Sequence, residues 1–266
     1  MSVGEPLVVV LYGAPGTGKT TLLEMLRERA HDKFHFVTVV EPTNSPEIVA
    51  LLQQMYEQSE ADIRAGRSVT LRTQAAIMRA RFAAMRAVAA NYPWDLLHAV
   101  AHRKRLVYVC DGHPLSDAAL YARAKFDSHE MTTAEFAWYL RELASELQHF
   151  ELSLLCTPQL FLKLHLEGDT DGSLHYHRVF TLRQTEAERN VPPSVYKHLA
   201  EHANSAHKHI ACPGTRHASL DTWNHEPVAV WTAFVNMLLS DQLADQLVPS
   251  AGPAMPTGGI GSPCDD

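Results

Sequence analysis

Short, largely apolar runs alternate with longer segments of mixed polarity along most of the chain. The runs have the length of strands, and an almost unbroken apolar run is typical of a strand that is buried on both faces of a parallel sheet. Turn-forming or acidic residues follow several of these runs. Five strands are therefore predicted: Pro6–Tyr12, Phe34–Val40, Leu106–Cys110, Leu152–Cys156, and either His209–Ala211 or Ala218–Leu220.

The segments between the runs place apolar residues three and four positions apart, which is the spacing of an amphipathic helix. Thr132 or Thr133, followed by Glu135, is a typical helix start, because a hydroxyl and a carboxylate can satisfy the first backbone N–H groups. The predicted helices cover residues 46–64, 69–90, 94–102, 115–127, 133–147, 157–166, 192–208 and 226–247.

Strands that alternate with helices along a chain form a parallel sheet with helices on both faces. The sequence therefore predicts a single α/β domain over residues 1–248, built on a five-stranded parallel sheet. A polar stretch with several arginines, residues 167–190, is predicted to be a lid over the ligand site. Residues 249–266 are rich in glycine, proline and serine, and we expect them to be disordered.

The first strand leads directly into a glycine-rich turn with the pattern G-x-x-x-x-G-K-[ST], and apolar residues at helical spacing follow the turn. A strand, this turn and a helix form the context in which the pattern binds the phosphates of a nucleoside triphosphate. We therefore predict that the turn binds ATP. It consists of Gly13, Ala14, Pro15, Gly16, Thr17, Gly18, Lys19 and Thr20.

Each residue type in this phosphate loop has a chemical reason. Backbone N–H groups can surround a phosphate only where no side chain blocks the approach, which explains Gly13, Gly16 and Gly18. The following helix directs the positive end of its dipole at the anion. Lys19 adds a positive charge near the β- and γ-phosphates, and Thr20 offers a hydroxyl to Mg²⁺.

Composition narrows the class of protein. The 266 residues are 46% hydrophobic, which is enough for a substantial core, and they carry a formal net charge of −7. The negative balance argues against a general nucleic-acid binder, which needs a basic face. No apolar run reaches 18 residues, so no membrane span is expected.

The first residues and the cysteines favour a soluble intracellular protein of the cytoplasm or nucleus. Residues 1–5 lack the basic residues of a secretory signal. The four cysteines are far apart and form no C-x-x-C pair, which is typical of reduced thiols.

Acidic residues stand directly after the second and third predicted strands. Glu41 follows Phe34–Val40, and Asp111 follows Leu106–Cys110. Ligands bind at the carboxyl ends of the strands in an open α/β sheet, so both carboxylates are expected beside the phosphate loop. Asp111 is a candidate for Mg²⁺, through water, or for contact with the substrate.

Several motifs follow the phosphate loop in a fixed order: Glu41-Pro42, Tyr56, Gln74, Asp111-Gly112-His113-Pro114, and an arginine-rich stretch from Leu182 to Arg189. This ordered set resembles the deoxynucleoside kinase superfamily and is most similar to the herpesviral thymidine kinases. The resemblance covers roughly residues 6–210. It is more specific than the phosphate loop alone.

The resemblance implies a P-loop kinase fold and an activity. The enzyme would transfer the γ-phosphoryl group of ATP to the 5′-hydroxyl of a deoxynucleoside, with thymidine as the first acceptor, in nucleotide salvage for DNA synthesis. It also implies a homodimer and a cellular setting that includes a virus-infected host cell. Helices 69–90 and 132–149 are the candidates for the dimer contact, and their pattern suits packing within the chain equally well.

The resemblance further assigns roles to individual residues. It implies Glu41 as the base on the 5′-hydroxyl and Lys19 and Arg183 as the cations beside the transferred group. Mg²⁺ would lie near Thr20 and Asp111. The residues that would hold the nucleoside are Tyr56, which stacks on the base, Gln74, which pairs with its Watson–Crick edge, Asp111, and Glu188 at the 3′-hydroxyl.

Two positions depart from the pattern of the family. Gly112 stands where the family has an arginine near the 5′-hydroxyl, and Thr185 stands where the lid has a second arginine. An arginine that stabilises phosphoryl transfer is worth about 10³-fold in rate or more. Arg178, Arg189 and Arg123 are candidates to replace the lost charge.

Other functions stay open. The protein is alternatively a weak kinase, or an inactive nucleotide-binding protein that acts by interaction. Three arginines near Gln74, namely Arg72, Arg79 and Arg81, keep open a nucleoside monophosphate kinase, which needs positive charge for the acceptor phosphate. The H-x-x-E-H pattern at residues 198–202 is short, and we interpret it as a solvated helix rather than a zinc site.

Overall fold

A computed structural model describes residues 5–40, 45–150, 152–169, 173–175, 193–210, 215–223 and 225–247. Five strands form one sheet in the order β2-β3-β1-β4-β5, and all four neighbouring pairs are parallel. The predicted fold class, an α/β domain on a five-stranded parallel sheet, is thereby confirmed. The strands are β1 Leu7–Tyr12, β2 Phe34–Val39, β3 Arg105–Asp111, β4 Leu160–His165 and β5 Arg216–Asp221.

Helices connect the strands and cover both faces of the sheet. The described helices are α1 Lys19–Glu28, α2 Pro46–Glu57, α3 Glu60–Arg64, α4 Thr70–Ala89, α5 Tyr92–Ala101, α6 Pro114–Asp117, α7 Arg123–Asp127, α8 Thr133–Gln148, α9 Ser153–Cys156, α10 Pro193–Ser205 and α11 Pro227–Leu247. A π turn, Ala118–Ala122, joins α6 to α7, and a 3₁₀ turn, Ala206–Lys208, follows α10. Within the described ranges, no helix combines the length and the apolar character needed to cross a bilayer.

Alternate residues of β1 serve two separate cores. Val8, Val10 and Tyr12 pack on one face with apolar residues of α4 and α8. Leu7, Val9 and Leu11 pack on the other face with α1 and α11. All six side chains are buried, which explains why β1 reads as a continuous apolar run. This two-faced burial fixes β1 in the centre of the sheet, with the phosphate loop at its carboxyl end.

The structure contradicts the predictions for residues 152–166. The predicted strand Leu152–Cys156 is the short helix α9, and the predicted helix over 157–166 contains β4. Because β4 lies between β1 and β5, four of its first five residues are apolar and buried and show little alternation, so their period does not separate strand from helix. Pro158 favours an extended backbone in the residue before it, which suits the approach to a strand.

Two predicted helices differ in detail. The helix predicted over 46–64 is divided after Glu57, because Ser59 caps α3 and forms a reciprocal capping box with Asp62. The helix predicted over 115–127 begins at Pro114 and contains the π turn. The predicted start of α8 is confirmed, with Thr132 as the cap and Glu135 as its partner.

Of the two segments proposed for the fifth strand, the second lies in β5, Arg216–Asp221. The predicted disordered tail, residues 249–266, lies outside the described residues. Most of the predicted lid also lies outside them.

Candidate active site

The phosphate loop leaves β1 and enters α1 through glycines with left-handed backbone. Gly16 has φ 82° and Gly18 has φ 84°. Gly18 is the N-cap of α1, and Lys19 is the first helical residue. Because glycine has no side chain, nothing at position 18 stands between an anion and the N–H groups of the first helical turn. The predicted loop therefore has the backbone geometry that suits phosphate.

Gly13 lies against the end of β4. A Cβ atom at this position would lie 2.3 Å from the carbonyl oxygen of Leu164, and the backbone has φ 147°. Both the space and the conformation thus require glycine. Tyr121, in the π turn, donates its hydroxyl to the carbonyl of Gly13 at 3.2 Å. The loop is therefore held from two directions at its first residue.

Thr222, directly after β5, holds the middle of the loop. Its buried hydroxyl donates to the carbonyl of Thr17 at 2.8 Å and lies 3.1 Å from the carbonyl of His165. Thr17 itself donates to the carbonyl of Ala14 at 2.9 Å. These bonds join the loop to the ends of β4 and β5.

Lys19 and the two residues predicted to hold Mg²⁺ lie in the loop or beside it. Lys19 donates its ammonium to the carbonyls of Gly13 and Ala14, at 3.0 and 3.1 Å. The hydroxyl of Thr20 donates to Oδ2 of Asp111 at 3.4 Å, across the gap between α1 and β3. One carboxylate and one hydroxyl fit Mg²⁺, which binds one or two carboxylates and takes its remaining ligands from water and phosphate.

A cavity of about 510 Å³ opens on the β5 side of the phosphate loop. Ligand pockets in proteins usually measure about 300–1,000 Å³. Its walls come from the loop, α1, the segment after β5 and α11, and they mix apolar side chains with a histidine and a glutamate. The lining residues are Gly16, Gly18, Thr21, Leu22, Met25, Thr222, His225, Glu226, Pro227 and Val230.

A narrow crevice lies on the other side, between the carboxyl ends of β2 and β3. We call it the strand-end crevice, and its lining residues are Val39, Val40, Arg81, Ala84, Met85, Asp111, Gly112 and Pro114. Arg81 reaches it from α4 and is 5% exposed. Its Nε donates to the carboxylate of Asp117, which is also buried, and its Nη1 donates to the carbonyl of Asp111.

Gly112 lies directly under the guanidinium of Arg81. Its N–H donates to the carbonyl of Leu11 at 2.9 Å, which ties the end of β3 to the strand that enters the phosphate loop. A Cβ atom at position 112 would lie 2.6 Å from Nη2 and 2.8 Å from Cζ and Nη1 of Arg81. The backbone has φ 73°, which also favours glycine.

His113 is buried and neutral. Burial, more than any other influence, lowers the pKa of His113 to about 4, and the charge of Arg81 acts in the same direction. Its Nε2 donates to the carbonyl of Leu155 at 2.9 Å, and its Nδ1 accepts the N–H of Leu115 at 3.1 Å. One donor and one acceptor nitrogen match the neutral imidazole. His113 therefore anchors the start of α6.

The predicted base-binding residues lie on two helices that pack together. Gln74 is 4% exposed on the inner face of α4, and its Nε2 lies 4.0 Å from the sulfur of Met55 on α2. Tyr56, next to Met55, is 38% exposed. Their roles toward a nucleobase stay predictions, as does dimerisation through α4 and α8.

Several predicted site residues lie outside the described residues: Glu41, Arg178, Arg183, Thr185, Glu188 and Arg189. Val40, the residue before Glu41, lines the strand-end crevice. The roles that the resemblance implies for this group stay predictions.

Sequence reasoning missed the partnership of Arg81, Asp117 and Gly112, and the contacts that Tyr121 and Thr222 make with the loop. One signal was present: Arg81 follows Gln74 by seven residues, or two helical turns, so both lie on the same face of α4. Arg123, the one predicted replacement that lies within the described residues, does not fill the space over Gly112. Arg123 instead pairs with Asp127 on α7.

Comparison with solved structures agrees with the fold. The chain is similar to a deoxyadenosine kinase from M. mycoides, solved with the products dCMP and a flexible dCDP bound. The TM-score is 0.61 and the sequence identity 13%, and the alignment covers 88% of this chain and 100% of that chain. At this identity, the similarity shows a shared fold, the P-loop kinase fold of a nucleoside kinase.

Sequence comparison finds a family model for the first half of the chain. No curated protein sequence matches the chain. Likeness to the herpesviral thymidine kinases therefore stays a prediction. A family model described as AAA ATPase domain matches residues 1–134, which span the phosphate loop, Asp111 and the strand-end crevice. Because the match covers just over half of the 266 residues, the protein belongs to the AAA ATPase domain family.

Proposed function

We propose that the protein is an ATP-dependent deoxynucleoside kinase. The observation that carries the proposal is the position of Asp111, which meets the hydroxyl of Thr20 beside the phosphate loop and also lines the strand-end crevice. A single carboxylate thus lies both beside the phosphate loop and at the carboxyl ends of β2 and β3, which is the edge of the sheet where an acceptor is expected. The similarity of the fold to a deoxyadenosine kinase supports a nucleoside as that acceptor.

On the donor side, the backbone N–H groups of the loop and the ammonium of Lys19 bind the triphosphate of ATP. The cavity next to the loop has room for the base and ribose of the donor. Its apolar residues suit the faces of a purine ring. Thr20 and Asp111 would hold Mg²⁺, which supplies charge neutralisation to the phosphates.

On the acceptor side, the attacking 5′-hydroxyl must lose its proton as the phosphoryl group arrives. Glu41 follows Val40 at the strand-end crevice and is the proposed base. Gln74 and Tyr56 are proposed to hold the base, and Glu188 the 3′-hydroxyl. Arg183 is proposed to close on the transferred group from the lid.

Thymidine is the first acceptor to test. The amide of Gln74 can both donate and accept, so it can pair with more than one base. The four deoxynucleosides should therefore be compared in one coupled assay that measures ADP release. The control without nucleoside measures ATP hydrolysis alone.

The decisive variant is Glu41→Ala. We expect it to lower kcat by at least about 10²-fold, because general-base catalysis contributes about that much, with ATP affinity unchanged. Glu47→Ala is the matched control, since Glu47 is an exposed carboxylate in the next helix. A wild-type protein that binds ATP but phosphorylates no nucleoside would contradict the proposal.

The family match supports a second candidate, an ATPase without a nucleoside acceptor. It predicts phosphate release that is independent of nucleoside. The nucleoside monophosphate kinase is less well supported, because Arg81 is buried and paired with Asp117 rather than open to an acceptor phosphate. Comparing thymidine with thymidine monophosphate tests that alternative.

A further inference from the structure

The geometry over Gly112 points to a role for Arg81. We infer that Arg81 is a positioning residue: it fixes the end of β3 beside the phosphate loop, and it puts a positive charge in the space that a side chain at position 112 would fill. The inference rests on the proposed function only for its effect on turnover. On this inference, glycine at position 112 makes room for the guanidinium of Arg81, which supplies a positive charge at that place.

Arg81 fills the space that a side chain at position 112 would need. Three atoms of the guanidinium would lie 2.6–2.8 Å from a Cβ at position 112, closer than such atoms approach in proteins. These atoms are not the free end of a mobile chain. Arg81 is 5% exposed, and its Nε and Nη1 bond to Asp117 and to the carbonyl of Asp111. A side chain at position 112 and the observed place of Arg81 therefore exclude each other.

Hydrogen bonds connect Arg81 to the predicted Mg²⁺ residue Asp111. Arg81 bonds the carbonyl of Asp111, and the N–H of the next residue, Gly112, bonds Leu11 of β1. The carboxylate of the same Asp111 meets the hydroxyl of Thr20. The guanidinium thus holds the backbone of the residue that would bind Mg²⁺. Groups that orient metal ligands usually change metal affinity or activity by about 10–100-fold when they are removed.

Arg81 also places a fixed charge next to Asp111. Its guanidinium forms an ion pair with Asp117, and the two side chains are 6% and 5% exposed. Asp117 therefore compensates the charge of Arg81, so the buried guanidinium can stay charged beside the backbone of Asp111.

The test removes the charge and keeps the volume. Arg81→Met combined with Asp117→Asn removes both charges of the buried pair together, so neither partner is left unpaired and the protein is expected to fold. We expect the Mg²⁺ concentration for half-maximal ATP binding to rise about 10–100-fold, and kcat to fall by a similar factor. The matched control is Arg86→Met with Glu146→Gln, an exposed ion pair between α4 and α8, which should change neither quantity more than about twofold.

Two results separate this inference from the proposed function. Because Mg²⁺-dependent ATP binding needs no acceptor, it tests Arg81 even if the wild-type protein phosphorylates no nucleoside. An unchanged Mg²⁺ dependence in the Arg81→Met/Asp117→Asn protein would overturn the inference. A silent wild-type protein would instead overturn the proposed kinase.

The claim about space has its own test. Gly112→Ala and Gly66→Ala place alanine at nearly the same φ, 73° and 70°, but nothing lies within 4 Å of a Cβ at position 66. We expect the Tm of Gly112→Ala to lie about 5 °C below that of Gly66→Ala, since overpacking costs more than backbone strain alone. We also expect the Mg²⁺ shift only in Gly112→Ala. Equal Tm values would show that the guanidinium of Arg81 can move away from position 112 without loss of stability.

Discussion

The phosphate loop and the strand-end crevice lie at the same edge of the sheet, but they are built in different ways. The loop is one continuous segment, and the side chains of Thr17 and Lys19 donate to backbone carbonyls of the same segment. The polar groups of the crevice are side chains that come from α4, β3 and α6. A continuous segment brings its geometry with it, whereas a site assembled from three elements exists only after they have packed.

The two glycines at these places show the same difference. A Cβ at Gly13 would meet the backbone of β4, whereas a Cβ at Gly112 would meet the end of a side chain. The backbone of a strand inside a sheet cannot move away, whereas a side chain is held by its own contacts. The loop pattern can therefore be recognised in the sequence, but the pairing of Arg81 with Gly112 cannot.

The largest expected effect comes from breaking the loop side alone. Lys19→Met removes the ammonium that lies at the carbonyls of Gly13 and Ala14. We expect kcat to fall about 10³-fold, because a fixed charge beside the phosphates stabilises the transition state. Binding of the deoxynucleoside in the absence of ATP should stay within about twofold if the two sides are independent.

Lys33→Met serves as the control for this variant, since Lys33 is exposed at the start of β2. Steady-state kinetics and calorimetric titration of the nucleoside measure the two quantities. A parallel loss of kcat and of nucleoside affinity in Lys19→Met would show that the loop also shapes the acceptor side. The phosphate loop and the acceptor side would then not be independent.

The next effect concerns acid and the crevice side. The pKa of His113 is about 4 in the folded chain and about 6.5 when exposed. Between these values the unfolded chain binds a proton that the folded chain does not, so stability falls as the pH falls from 6.5 toward 4. The loss from this group approaches about 3 kcal/mol at the lower limit.

His113→Gln isolates this contribution from those of the other histidines, because glutamine stays neutral throughout. Urea unfolding at several pH values between 7 and 4.5 gives the free energy of unfolding of each protein. We expect the wild-type slope to be steeper over this window. Parallel slopes for the two proteins would mean that His113 is protonated without cost and that the crevice is open to water.

Much of the fold was accessible from the sequence because local signals agreed with the packing. The apolar run of β1, the glycines of the loop and the capping box at Thr132 each specify a local structure without help from distant residues. The error at residues 152–166 has a physical origin. Two short apolar runs lie close together, and only pairing with β1 and β5 decides which of them is the strand.

The site divides in the same way. The loop residues follow from a motif, and the meeting of Thr20 with Asp111 follows from the rule that strand ends gather at one edge. Arg81 is different. Its distance from Gly112 in the sequence is 31 residues, and only the packing of α4 against the end of β3 shows that the two share one space. The sequence therefore shows only that the expected arginine is missing at position 112, and the structure shows that Arg81 places a guanidinium there.

A smaller effect tests whether the backbone at the end of β4 is too rigid to move away from a side chain at position 13. Gly13→Ala places Cβ 2.3 Å from the carbonyl oxygen of Leu164, whereas Gly168→Ala, at φ 83°, has nothing within 4 Å. We expect Gly13→Ala to lose about 2 kcal/mol more free energy of unfolding than Gly168→Ala, because neither strand can shift. Equal losses in urea unfolding would show that the end of β4 adapts.

The smallest effect concerns the bond that joins the loop to β5. Thr222→Val keeps the shape of the side chain but removes the hydroxyl that donates to the carbonyl of Thr17 at 2.8 Å. The loss of one such bond costs about 1 kcal/mol, which corresponds to about fivefold weaker ATP binding if the bond preorganises the loop. Thr232→Val is the matched control, because Thr232 makes a bond of equal length, to the carbonyl of Val228, on an exposed part of α11. Calorimetry of ATP binding to both variants decides the question. If both bind ATP as the wild-type protein does, the conformation of the loop depends on its own residues and on the packing of Gly13 against β4. The contact with β5 then only closes the cavity beside the loop.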